Sequence, residues 1–430
     1  MRRPHVCVAA LLVIAGIAPA QNTLHLTLAE AERLAVANNP QLSAAQFNAA
    51  AAGQVPLELR ANFEPAISGA LTGVGADSGS RLAAGALNNP VVYNRVGTGL
   101  LLSQLVTDFG RTGSLVDSAK LHAQAQDQVT QTTRAQILLA VNRAYFGALR
   151  AEAVLKVAQQ TVTARQLVAD QVSALARSNL KSTLDVSFAN VNLSDAKLLL
   201  AGAQSNVKSA YAELATAIGL PGQYAQGGFS LALEPMPDLL PVTLDSLMDK
   251  ALRDRPELAS VRLEQNAAQR FAQAEKDLML PTISVAASAG FVPAAEAQVP
   301  GRYGAVGVNV SIPILNGHLF RARRTEAELR AKAASQNVND LANRVARDVR
   351  LAYLNATNAF ERLTLTTELL DQARLALDLA QRRYDLGLGS IVELSQAQLN
   401  VTGAEIAGSS AEFDYQFQRA NLSYQIGALR

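Results

Sequence analysis

The chain has 430 residues and a formal net charge of +2 at neutral pH, too close to balance to attract nucleic acid as a partner. Aromatic residues make up 5% and tryptophan is absent, while alanine, leucine, glutamine and asparagine are plentiful, which argues against a compact enzyme core and for long helices packed side by side. No segment after the first twenty residues holds about eighteen uninterrupted apolar residues, so no transmembrane helix is expected.

Residues 1–20 read as a secretory signal peptide. Arg2 and Arg3 form its basic start, residues 6–17 an apolar core too short to span a bilayer, and Ala18-Pro19-Ala20 a small-residue cleavage site. The only cysteine, Cys7, falls inside it, and Gln21 rather than cysteine follows the cleavage point. The mature chain is therefore expected to carry no lipid anchor, disulfide or thiolate ligand.

A helical stretch follows over 28–61. Two glycine-rich segments with period-two alternation, 66–74 and 96–105, predict strands. Residues 114–179 then run without proline and with one glycine, Gly147, long enough for a helix on the order of 90–100 Å at about 1.5 Å per residue. A shorter helical stretch, 183–218, closes this half. The second half repeats the order: helix over 244–278, strands over 282–291 and 303–312, a breaker-free run over 318–386, and a return helix over 391–426.

The repetition is visible residue by residue. Asn39-Pro40-Gln41-Leu42 returns as Arg255-Pro256-Glu257-Leu258, and Pro65-Ala66-Ile67-Ser68 as Pro281-Thr282-Ile283-Ser284, both at an offset of 216. Val141…Ala144-Tyr145 returns as Val349…Ala352-Tyr353 at 208, because the loop 76–94 is longer than its counterpart 292–302. We therefore divide the mature chain into repeats at 21–230 and 231–430. In each long run a small or apolar stripe recurs at alternating steps of three and four, as in Val349, Ala352, Ala356 and Ala359, the mark of a supercoiled seam. Only Arg165 and Thr366 break it.

The strand segments pair one apolar face with one small or polar face, and each is long enough to cross a bilayer when tilted. Tyr93, Phe291 and Tyr303 near the loop ends, with Phe63 and Phe109 near the helix ends, would supply two aromatic girdles. Pro65, Pro281 and Pro313 mark strand–helix junctions, where proline removes no needed donor, and Gly110 and Gly317 mark matching starts of the long helices. Four strands cannot close a barrel, whereas three copies would supply twelve. The expected fold is thus mainly α with a membrane β-barrel segment: duplicated helix–strand-pair–helix halves in a trimer, with a twelve-stranded β-barrel continuous with a coiled-coil α-barrel.

On these doubled landmarks, on Ile312-Pro313-Ile314-Leu315-Asn316-Gly317, and above all on Arg383-Tyr384-Asp385-Leu386-Gly387-Leu388-Gly389-Ser390-Ile391-Val392-Glu393-Leu394, the chain resembles the TolC-like outer-membrane efflux proteins over essentially its whole mature length. The resemblance implies a homotrimeric, passive exit duct in the outer membrane of a Gram-negative bacterium with a large periplasmic portion. Its partners would be outer-membrane lipid, a periplasmic adaptor protein and an inner-membrane transporter. It further implies that the turns at 176–185 and 384–393 close the periplasmic end, with Asp185, Tyr384 and Glu393 at aperture positions. Gly389 stands where such proteins place a basic partner and Gln396 where they place a second carboxylate, leaving Lys181 or Arg382 to substitute for the missing base. Gly387, Gly389, Ser390 and Ser182 form the tip turns and the surface offered to an adaptor.

Plainer readings stand beside these. Asp185 and Glu393 suit early-turn acids favoured by the helix dipole, Tyr384 suits the end of a packed seam, and Gly387 and Gly389 suit turn positions with positive φ. Three copies of Glu393 would make an anionic ring. No cofactor or metal site is expected: His25, His122 and His318 lack ligand spacing, no Gly-x-Ser-x-Gly occurs, and no βαβ unit frames the glycine pairs, so the chain is not read as an enzyme. The alternative is a periplasmic coiled-coil structural or adaptor protein, which explains the heptads but leaves the strands unexplained.

Overall fold

The computed structural model describes residues 24–81, 91–220, 229–237 and 243–429. The expected signal peptide with Cys7, and part of the loop 76–94, lie outside them.

Where one helix was expected over 28–61, three form: α1 (Leu28–Asn38), α2 (Pro40–Ala52) and α3 (Val55–Arg60). The break has a local cause. Proline drives its predecessor out of the α region, and Asn39 is extended at φ −75° and ψ 119° while its side chain accepts from the Gln41 amide at 2.9 Å. The second copy breaks in the same place, at Arg255 before Pro256, dividing α6 (Leu244–Asp254) from α7 (Pro256–Asp277). The breaker-free runs behave as expected: α4 (Arg111–Arg177) and α8 (Leu319–Asp385) have 67 residues each, and the return helices α5 (Thr183–Ala217) and α9 (Ile391–Gln425) have 35. Among the described residues no helix is long and apolar enough to cross a membrane.

The chain falls into two compact units, one within residues 1–34, 143–236 and 370–413, the other within 35–142, 237–369 and 414–430. The first holds a small parallel pair absent from the sequence reading, β1 (Leu24–Leu26) with β4 (Phe229–Leu231). The Tyr145 hydroxyl lies 2.7 Å from the Ala232 carbonyl and 3.0 Å from that of Leu26, at the ends of the two strands. A cluster of Ala169, Val172, Ala189, Leu193, Tyr384, Ile391 and Leu394 forms its far core.

The second unit carries one antiparallel sheet in the order β2 (Ala66–Val74), β3 (Arg95–Thr107), β5 (Thr282–Ala295), β6 (Arg302–Ser311). The two hairpins share one register: Ala66 faces Ser103 as Thr282 faces Ser311, and Val74 faces Arg95 as Gly290 faces Tyr303. β3 and β5 join the repeats through a ladder with two irregularities. Directly paired residues share a face, so one face holds Ile67, Leu71, Leu100, Leu102, Phe291, Val306, Val308 and Val310, and the other Ser68, Ala70, Thr72, Ser103, Ala286, Ser288, Gly307 and Asn309. This is the expected division, except that Leu101, paired with Ser68 and Ser288, also lies on the small face, and with one correction. Tyr303 neighbours the residue opposite Phe291 and so lies on the small face, with its hydroxyl against Gly99 and Gly290; a Cβ at Gly99 would meet it at 2.2 Å. The two aromatics therefore cannot belong to one girdle.

Pro65 and Pro281 directly precede β2 and β5, and Pro313 follows β6 by two residues. At the starts of α4 and α8 two successive residues take left-handed conformations, Phe109-Gly110 (φ 55° and 106°) and Gly317-His318 (φ 58° and 67°). Gly110 and Gly317 thus occupy consecutive rather than matching positions of the same turn. Asp108 closes the first of these turns, its carboxylate accepting from the Thr112 amide at 2.7 Å and hydroxyl at 2.5 Å. Below the sheet the buried Glu275 takes a two-point ion pair from Arg323 at 2.7 and 2.9 Å. The stripe of α8 is buried as predicted, with Val345, Val349, Ala352 and Ala356 packed on Leu247, Ala251, Leu422 and Ile426.

Candidate functional site

The first unit holds the turns that the sequence singles out, one joining α4 to α5 and the other α8 to α9. The α4 end closes through left-handed Asn179 (φ 56°), with the Leu180 amide returning to the Leu175 carbonyl at 3.0 Å. The α8 end closes the same way through Gly387 (φ 73°), the Leu388 amide reaching the Arg383 carbonyl at 2.8 Å. The sequence groups Gly389 with Gly387 as a positive-φ position, and the structure separates them. Gly389 does not take a positive φ; what it supplies is room, since a Cβ there would sit 3.2 Å from the Arg383 Cβ and the Tyr384 nitrogen.

Ser182 and Asp185 form a complete capping box at the start of α5: the Asp185 amide donates to the Ser182 hydroxyl at 3.1 Å, and the Ser182 amide donates to the Asp185 carboxylate at 3.0 Å. The second copy makes half of it. Ser390 accepts from the Glu393 amide at 3.1 Å, but the longer Glu393 side chain turns away and takes the Arg383 guanidinium at 3.0 Å. Arg383 also donates to the Leu388 carbonyl at 3.3 Å, so one side chain ties helix end, turn and next helix start. Of the bases expected to serve here, Arg382 pairs instead with Asp378 on its own helix at 3.0 Å. Lys181 places its ammonium 4.0 Å from the centre of the Tyr384 ring. Arg383 was missed. Its presence beside Glu393 means that a ring of Glu393 carboxylates would carry compensating charge within each hairpin.

Tyr384 is buried among Val172, Ala189, Leu193, Ile391 and Leu394, the packing role anticipated for the end of the seam. Among the described residues its hydroxyl is buried without a hydrogen-bond partner, and burial, then the carboxylates of Asp185 and Asp385, push its pKa upward. Gln396 is exposed and donates to Asn400 at 3.0 Å. Around the turns Leu180, Leu184, Leu386 and Leu388 stand largely exposed, an apolar rim on a polar hairpin. Among the described residues no group of carboxylates, histidines or cysteines is placed to hold a metal. The arrangement is built for contact and constraint.

Comparison with known proteins agrees with the doubled helical hairpins and the open sheet. The chain is 25% identical to the outer membrane protein TolC of Salmonella enteritidis over 425 residues, covering 94% of this chain and 83% of that one. It is 24% identical over 316 residues to the alkaline protease secretion protein AprF of Pseudomonas aeruginosa, covering 71% and 64%. The crystal structure of the outer membrane protein VceC from Vibrio cholerae superposes with a TM-score of 0.79 at 18% identity over 93% of this chain and 96% of that one, which identifies the fold. The family model for outer membrane efflux proteins matches residues 33–220 and 247–428, most of the chain, and the chain belongs to that family.

Proposed function

We propose that the protein is the outer-membrane exit duct of an efflux or secretion system, working as a homotrimer whose sheets join into one barrel. The sheet carries this reading. Its four strands leave β2 and β6 as open edges, and one face bears a continuous apolar surface, with Leu71, Val306 and Val308 among the most exposed large side chains. A sheet with one apolar face and two free edges is stable when it closes on copies of itself with that face toward lipid.

The conduit is passive and does no covalent chemistry. A periplasmic adaptor meets the tips at Ser182, Gly387, Gly389 and Ser390, against the rim of Leu180, Leu386 and Leu388, and an inner-membrane transporter supplies the energy. Lys181, Asp185, Tyr384, Glu393 and Gln396 form the aperture region. Family membership at this level leaves the cargo open, since a relative such as AprF is named for protease secretion and another, SrpC of Pseudomonas putida, for solvent efflux.

Membrane fractionation with native mass determination tests the reading. The expected result is a detergent-requiring species of three chains in the outer-membrane fraction. Release of the full chain by high salt alone would overturn it in favour of a periplasmic coiled coil.

A further inference from the structure

The sequence stripe has two breaks, and the structure treats them differently. The Thr366 hydroxyl donates within its own helix, to the Arg362 carbonyl at 2.8 Å and the Leu363 carbonyl at 3.1 Å. Arg165 instead lies in the interior of the first unit at 4% exposure and donates to the Gln398 amide oxygen on α9. One turn nearer the tip, the Asn192 amide on α5 donates to the buried Ser395 hydroxyl on α9 at 2.7 Å. Asp195 on α5 adds a negative charge that favours the guanidinium, opposing the downward pull of burial. Together these side chains tie α4 to α9 and α5 to α9 with polar contacts beside the apolar cluster that contains Tyr384. Among the described residues α8 sends no hydrogen bond into it. At Arg165's counterpart in the second copy stands Ala373, buried and apolar.

Seams of alanine are held by non-directional contacts, and sliding one helix past another changes them little. A buried guanidinium is different, because any slip leaves it unpaired away from water. From this we infer that Arg165, with Gln398, Asn192 and Ser395, is the pin that fixes α9 against α4 and α5 and confines opening of the duct to the segment beyond it, residues 384–394. Arg165 is a positioning residue for conduction. The inference rests on the exit-duct reading.

Purified protein in planar bilayers, with the trimer checked by native mass, tests it. Wild-type channels are expected to show a small resting conductance; no channels at all would sink the exit-duct reading rather than the pin. In Arg165→Leu/Gln398→Leu, whose seam is apolar throughout, the melting temperature should hold or rise while resting conductance rises about fivefold or more, the lower end of coupling between linked sites. Adding Asn192→Cys/Ser395→Cys and oxidising should return it to the wild-type level, since a covalent pin replaces the polar one. Arg165→Gln, which keeps a donor for Gln398, should conduct as wild type. Wild-type conductance in the apolar variant, a rise that the disulfide does not reverse, or a rise in Arg165→Gln would each overturn the pin.

Discussion

Tyr384 brings a phenol into an apolar cluster and leaves its hydroxyl without a partner. Removing an unpaired buried hydroxyl relieves a desolvation cost, so Tyr384→Phe should raise thermal stability by about 1 kcal/mol. A fall in melting temperature would show that the hydroxyl is bonded in the assembled protein. Gly387 supplies the left-handed turn that Asn179 supplies in the other hairpin. Gly387→Ala should therefore cost about 1 kcal/mol in denaturant unfolding, and Asn179→Gly almost nothing. Much of this was legible. Asp185 reads as an early-turn acid and Gly387 as a left-handed turn residue, and the structure finds both. Arg383 was not, because its partner lies ten residues away across a turn and its counterpart in the first copy is Leu175, so the duplication gave no hint. Gly389 misled for a related reason: a glycine needed for space looks, in sequence, like one needed for φ.

Among elements, the small pair β1–β4 is held at its ends by Tyr145 and along its length by His25, whose ring nitrogen lies 3.0 Å from the Ser230 carbonyl. Tyr145 is fully buried, and its hydroxyl approaches a carbonyl at the end of each strand. Burial, then the charge of Glu234, raises its pKa to about 12. The folded state thus holds this proton more tightly than the unfolded chain, whose tyrosines titrate near 10. Its contribution is complete below pH 10 and is lost as pH rises through about 12. Stability of the wild type should fall across that window, and less steeply in Tyr145→Phe, as urea midpoints taken at several alkaline pH values would show. That variant should itself cost about 1–2 kcal/mol at neutral pH. Strands of three residues carry too little alternation to be read from sequence, which is why this pair went unseen. The helix breaks at Asn39 and Arg255 are the opposite case. Both Asx/Arg-Pro steps served as landmarks of the repeat, yet the restriction that proline places on its predecessor was outweighed by helical periodicity on either side.

For the whole molecule, the two faces of the sheet make opposite demands. Val308 projects from the apolar face and Ser288 from the small one. Val308→Arg should destabilise the barrel by about 2–4 kcal/mol and reduce outer-membrane assembly, whereas Ser288→Arg should assemble and alter conductance. Equal loss in both would mean that the faces are wrongly assigned. Period-two patterning separates them, and counted back from Val306 it also sets Tyr303 in phase with Gly307 and Asn309, an assignment that proximity to a loop end hides.

The common register of the two hairpins reaches beyond a single chain. Since β2 matches β5 and β3 matches β6, the β3–β5 ladder is an internal rehearsal of the joint that β6 would make with β2 of the next copy, and the closed ring would approximate six equal hairpins. Carrying the pair Ser103–Ala286 through the two offsets, 208 and 216, sets Ser311 opposite Ala70 of the neighbour. Cysteines at those two positions should form an intermolecular disulfide under oxidation, and moving one of them a single residue along its strand should abolish it, since that turns its side chain to the other face. One polypeptide already contains the pattern by which it meets its neighbours.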